Sequence, residues 1–169
     1  TGTDLESALP AYQRLGAAMA SLGYNAADTQ RMFKGLSSAL TVMHIGPRDS
    51  ALAVRDIANA FAEGSLHARE LRALATHIPS ATADVLASAG VKGSELRGKF
   101  QEGGFDTDVL LKTADLWSAK FGSQIPAAMK SSTAQLNLLS NAWLEFRQSV
   151  FENGFDRGLS SFAQRLRDA

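Results

Sequence analysis

The sequence predicts an all-α protein, a compact multi-helix domain of about eight or nine helices that ends in a long amphipathic helix. Three observations predict it. Apolar residues recur at three- and four-residue steps through most of the chain, the spacing that lines one face of a helix. Most glycines and prolines fall between these runs, where they end one helix and start the next. No stretch shows sustained two-residue alternation rich in Val, Ile and Thr, the mark of strands.

In the first helix Tyr12, Leu15, Met19 and Leu22 share a face. Pro10 marks the start of its regular part, because proline fits a first turn, and Gly23 ends it. Asn25 reads as the N-cap of the second helix, with Asp28 in its first turn complementing the dipole. Met32, Leu36, Leu40 and Met43 form the stripe of that helix, with Phe33 beside them. Gly46-Pro47 stops it and starts the third, where Val54, Ile57, Ala58 and Phe61 follow at i, i+3, i+4, i+7 before Gly64 closes it. A fourth, short helix carries Leu71 and Leu74 and ends before Pro79. The short connections predict that these four alternate as antiparallel hairpins.

The middle of the chain is choppier. Pro79 opens a short helix through Val85 and Leu86, ended by Gly90. Ser94 is placed to cap another with Leu96 and Phe100, ended by Gly103-Gly104. Asp106 or Thr107 caps a longer helix with Leu110, Ala114, Trp117 and Phe121 on one face, ended by Gly122. Residues 1–125 are thus expected to form a compact domain of short antiparallel helices. Residues 126–169 differ, because after Pro126 neither Gly nor Pro appears until Gly154. Leu136, Leu139, Trp143, Phe146 and Val150 take alternating three- and four-residue steps, close to a coiled-coil seam. Phe155, Leu159 and Phe162 keep that spacing beyond Asn153-Gly154. These eight residues are the interface candidates, on a helix that covers the same core or meets a partner.

Composition excludes several functions. With 169 residues the chain is long enough to bury a hydrophobic core unaided. Lys plus Arg equals Asp plus Glu, 17 each, whereas nucleic-acid binders usually carry a basic surplus to neutralise phosphates. Balanced charge gives little colloidal repulsion, which favours self-association. There are no cysteines, so disulfides, thiol catalysis and Cys-based zinc sites are out. No charged n-region followed by an apolar run opens the chain, so no signal peptide is visible. The longest uncharged stretch, Ser131 to Leu144, is too short and polar to span a bilayer. Both ends read as interrupted, and a fragment of a larger protein is expected.

Residues for chemistry do not gather, so no catalytic, cofactor-binding or metal-ligating residue is assigned. His67 and His77 are not at the four-residue step of two ligands on one helical face, and His44 suits a helix C-terminus. Asp106 and Asp108 open a helix, where acids are favoured electrostatically. No G-x-S-x-G, S-x-x-K or P-loop pattern appears. Gly103-Gly104 before a helix invites a phosphate-loop reading, but it joins helix to helix. Ser94 to Phe121 has the outline of a helix-turn-helix, whose second helix offers Lys112, Thr113 and Lys120 beside Asp108 and Asp115, a poor set for DNA.

The order of residues adds a resemblance. Tyr12, Gln13, Arg14 and Leu15 lead into Leu22-Gly23. Ala58, Ala60, Gly64, Leu66, Glu70, Leu71, Arg72 and Leu74 then precede Ile78-Pro79. Leu86, Ala87, Gly90, Val91, Glu95, Leu96, Arg97, Gly103, Gly104 and Asp108 follow, and Ser131, Ser132, Thr133 and Ala134 lead into Leu136, Leu139, Trp143 and Phe146. From Leu9 to Leu166 the chain resembles the conserved N-terminal region of tape measure proteins of long-tailed phages and prophages. One departure is the doubled glycine at 103–104, where the family more often has a single Gly and a following Lys. The resemblance implies a non-enzymatic virion assembly role. Its expected partners are the tail tube protein, the tail tip and the tail assembly chaperones, and its expected place is the phage tail, reached through the bacterial cytoplasm. The competing readings are a cell-wall-degrading hydrolase domain of a tail protein, which needs a carboxylate of raised pKa in a cleft, and the helix-turn-helix DNA binder.

Overall fold

A computed structural model describes residues 2–124. Among them are seven α-helices, one 3-10 turn and two very short strands. They run α1 (Gly2–Ser21), α2 (Ala26–Val42), α3 (Pro47–Glu63), β1 (Ser65–Leu66), α4 (Ala68–His77), α5 (Ala81–Ala89), the 3-10 turn Gly93–Glu95, α6 (Leu96–Gln101), β2 (Phe105–Asp106) and α7 (Thr107–Gly122). The helix predicted within 126–169 and the eight interface candidates on it lie outside the described residues.

Most helix limits follow local chemistry. Asn25 Oδ1 accepts from the Asp28 amide at 2.9 Å while Asp28 Oδ2 accepts from the Asn25 amide at 3.3 Å, a reciprocal cap that satisfies two otherwise orphaned donors. Three limits differ from expectation. Pro10 lies inside α1 and not at its start, where its missing N–H removes one backbone donor from the helix. The stop of α2 comes before Gly46: His44 takes the left-handed conformation, φ 55. The His44 amide donates to the Thr41 carbonyl and the Ile45 amide to the Leu40 carbonyl, closing the last turn. Ser94 caps nothing; it sits within the 3-10 turn, and Glu95 Oε2 accepts instead from the Lys92 amide at 3.0 Å.

Of the consecutive pairings expected among the first four helices only α3 with α4 is found among the described residues. The most extensive contacts are α1 against α3 and α2 against α7. Partner choice follows the faces that allow close approach. Leu15, Gly16, Ala18 and Met19 of α1 and Ala53, Val54, Ala58, Ala60 and Phe61 of α3 are all buried, and small residues on both sides bring the axes together. On α2 the closest point is Gly35, where a Cβ would collide with the Ala114 carbonyl of α7.

Polar groups reinforce the α2–α7 contact from its ends. The Tyr24 hydroxyl donates to Asp108 Oδ1 at 2.8 Å and lies 2.6 Å from Thr107 Oγ1. The Arg31 guanidinium spans both Asp115 oxygens at 3.2 and 2.6 Å. A third tether joins α5 to α7: buried Asp84 accepts from Ser80 Oγ at 2.7 Å, Trp117 Nε1 at 2.9 Å and Lys120 Nζ at 3.2 Å. Burial alone would raise the Asp84 pKa, but those three donors outweigh it and hold the carboxyl below its ordinary value.

The strands were not legible as strands. β1 and β2 pair antiparallel, Ser65 opposite Asp106 and Leu66 opposite Phe105, and two residues are too few to show alternation. Gly103 (φ 113) and Gly104 (φ 90) turn the chain into β2, and a Cβ on Gly104 would strike the Leu66 carbonyl. The doubled glycine therefore serves this pairing. Trp117, Phe33, Phe61, Phe105, Leu15, Met19 and Met32, all fully buried, fill the core between these elements.

Gly35→Ala is expected to cost about 1–3 kcal/mol by overpacking, although alanine is intrinsically the better helix former by about 1 kcal/mol. Gly98→Ala on exposed α6, where a Cβ meets open space, is expected to stabilise by about 0.5–1 kcal/mol. Urea unfolding of both variants measures the contrast. Asp84→Ala is expected to cost about 3 kcal/mol, because it leaves buried donors without an acceptor. A carboxylate with a lowered folded pKa contributes stability above its unfolded value of about 3.9, and loses it as pH falls through the folded value. The stability gap between wild type and Asp84→Asn should therefore narrow on acidification below about pH 4, which a pH series of thermal melts would read.

Candidate functional site

The candidate site is a groove of about 510 Å³ between α4, α5 and α6. Leu71 and Arg72 of α4, Thr82 of α5, and Leu96, Arg97, Phe100 and Gln101 of α6 line it, with Ala68 at one end. The short α6 builds most of it. Leu96 and Phe100 are four residues apart and so point the same way, as do Arg97 and Gln101 beside them. Leu96 and Phe100 are only half-buried, and Phe100 is braced edge-on by Phe105 at 5.7 Å between centroids. Leu71 forms floor and core at once, being 3% exposed.

The walls are held from behind. Asp84 fixes the first turn of α5 to α7. Two residues earlier, Thr82 points roughly the opposite way, toward the groove. The β1–β2 pair ties the start of α4 to the end of α6. Beside it, buried Glu70 accepts from Arg69 Nε at 2.8 Å, and its second oxygen has no partner. Among the residues lining the groove the charge is one-sided. No carboxylate lines it, and among the described residues neither Arg72 nor Arg97 makes an ion pair, whereas Arg31, Arg55 and Arg69 all do.

The residues weighed for chemistry are drawn into structure. Ser65 Oγ lies 2.9 Å from His67 Nε2, and Glu63 Oε2 is 3.6 Å from that same nitrogen. A catalytic triad needs the carboxylate on the other ring nitrogen, so this cluster lacks the relay. Asp108 serves the Tyr24 tether, where burial and then the Asp108 charge push the phenol pKa up, against the Thr107 hydrogen bond. The carboxylate with a clear shift among the described residues is Asp84, and it moves down, opposite to what a glycosidase acid needs. No group of three or more His, Asp or Glu gathers for a metal among the described residues. Gly104 of the doubled glycine packs against β1.

The helix-turn-helix reading fails on burial. In its would-be recognition helix, α7, Thr113 is fully buried with its hydroxyl on the Val109 carbonyl, Lys120 is bound to Asp84, and Asp115 to Arg31. The exposed face of α7 leaves Lys112 between Asp108 and Asp115, a poor set for reading base edges. The α4–α6 groove itself was not found from the sequence. Its one local signal is the pair of four-residue steps on α6, and its other walls come from elements packed beside it.

No helix among the described residues is long and apolar enough to cross a membrane. No curated protein and no solved structure matches the chain. Among protein families, the tape measure protein model matches residues 1–152. That span takes in every described element and most of the resemblance from Leu9 to Leu166, and the chain belongs to the family of phage tail tape measure proteins.

Proposed function

We propose that this region is a folded docking module, which attaches the tape measure protein to other tail components during assembly. The observation that carries the reading is compactness. As one continuous helix, 169 residues would reach about 250 Å at 1.5 Å per residue. The longest described helix, α1, has 20 residues and so spans about 30 Å, and the helices fold back on a single core. A length standard needs extended chain; this region spends its length on packing.

The module works through apolar surfaces and not through covalent chemistry. One surface is the α4–α6 groove. The other is the stripe of Leu136, Leu139, Trp143, Phe146, Val150, Phe155, Leu159 and Phe162, offered to a partner or to a second copy of the chain. The tail tube protein, the tail tip proteins and the tail assembly chaperones are the proposed partners. Docking takes place in the bacterial cytoplasm, before the module is carried in the virion tail.

The test is an in-frame deletion of residues 5–168 from the intact gene that encodes the chain, with tails imaged by negative-stain electron microscopy. The expected result is no tails, or tubes of uncontrolled length. Tails shortened by about 1.5 Å per deleted residue would make the region part of the ruler. Tails of normal length and infectivity would make it dispensable. Either outcome overturns the docking role.

A further inference from the structure

We infer that the α4–α6 groove receives an amphipathic helix with acidic flanks, supplied by another tail component; this rests on the docking reading and specifies its chemistry. An apolar hollow lined by Leu71, Leu96 and Phe100 offers a contact surface. Its rim defines the occupant. Arg72 and Arg97 stand over the apolar floor with no acid among the lining residues and no ion pair among the described residues. The planar guanidinium fork matches a carboxylate with two parallel hydrogen bonds. The walls are helices, and β1 and β2, of two residues each, pair with one another. An apolar helix laid between helices therefore fits, with anchors at i, i+3 or i+4 and i+7.

Charge argues against the chain's own apolar row as that occupant. Read as a helix, Leu136, Leu139, Trp143, Phe146 and Val150 would have Arg147 at their edge, while Glu145 and Glu152 would turn away from the row. Seating that row would place a third cation beside Arg72 and Arg97. A second copy would bring the same mismatch.

The experiment titrates the full chain with fluorescent 18-residue helical peptides sharing one Leu/Phe row and differing only in flanks of Glu, Gln or Lys. A fourth peptide carries residues 133–152 of this chain. Anisotropy gives the affinities. The Glu-flanked peptide is expected to bind at least tenfold more tightly than the Lys-flanked one, with a steep loss on adding salt. In the Arg72→Glu/Arg97→Glu chain that order should reverse. Both side chains are exposed, so the fold should persist, as circular dichroism would check; if it does not, Arg72→Gln/Arg97→Gln should abolish the preference. Saturable binding by none of the peptides, a preference unmoved by either double variant, or tightest binding by the 133–152 peptide would each overturn the inference. None of these outcomes depends on tail length, so the deletion and the titration can fail separately.

Discussion

Where α2 crosses α7, the backbones come so close that Gly35 has no room for a methyl group beside Ala114. This contact sets the position of α7, which in turn holds α5 and meets both short strands. Trp117 and Phe121 complete the core on one side of it, and Trp117 with Lys120 reaches Asp84 to hold α5. The start of α7 receives Tyr24, whose ring in turn stands edge-on to Phe61 of α3 at 5.4 Å. A side chain at position 35 would push α7 outward and strain each of these contacts, because a close-packed interior passes displacement on. The polar tethers differ in weight. Arg31–Asp115 is half-exposed and contributes little net stability, whereas Asp84 is buried and its donors would be stranded without it.

The groove sits away from this centre, and its composition differs accordingly. None of the α6 residues is buried, and α6 enters through a 3-10 turn and leaves through two glycines with positive φ. Such an element contributes little to global stability and leaves Leu96 and Phe100 half-buried. The rigid part of the site lies behind it, in Leu71, the Asp84 tether and the β1–β2 pair.

Local chemistry was readable and non-local pairing was not. The caps at Asn25 and Gly64, the start of α3 at Gly46-Pro47, and the stripes Met32-Leu36-Leu40 and Leu110-Ala114-Trp117-Phe121 all stand where the sequence places them. Each depends on residues within a turn or two. The pairing of α1 with α3 and of α2 with α7 depends on which surfaces approach most closely, and short loops between neighbours do not decide that. His44 stood in for the expected glycine at the end of α2, since histidine tolerates the left-handed conformation better than most side chains. The groove was invisible for the same non-local reason: four residues on α6 become a site only when α4 and α5 are brought beside them.

The central physical claim is that α2 and α7 form the last contact to open. Native-state hydrogen exchange of the full chain under increasing denaturant tests it most directly. The account predicts that the slowest amides lie in both helices, around Gly35 and Ala114, and that they exchange together with the denaturant dependence of global unfolding, while α6 exchanges first. Exchange of α7 by a smaller opening, with α1 and α3 still protected, would contradict the account and place the stable centre in the α1–α3 pair.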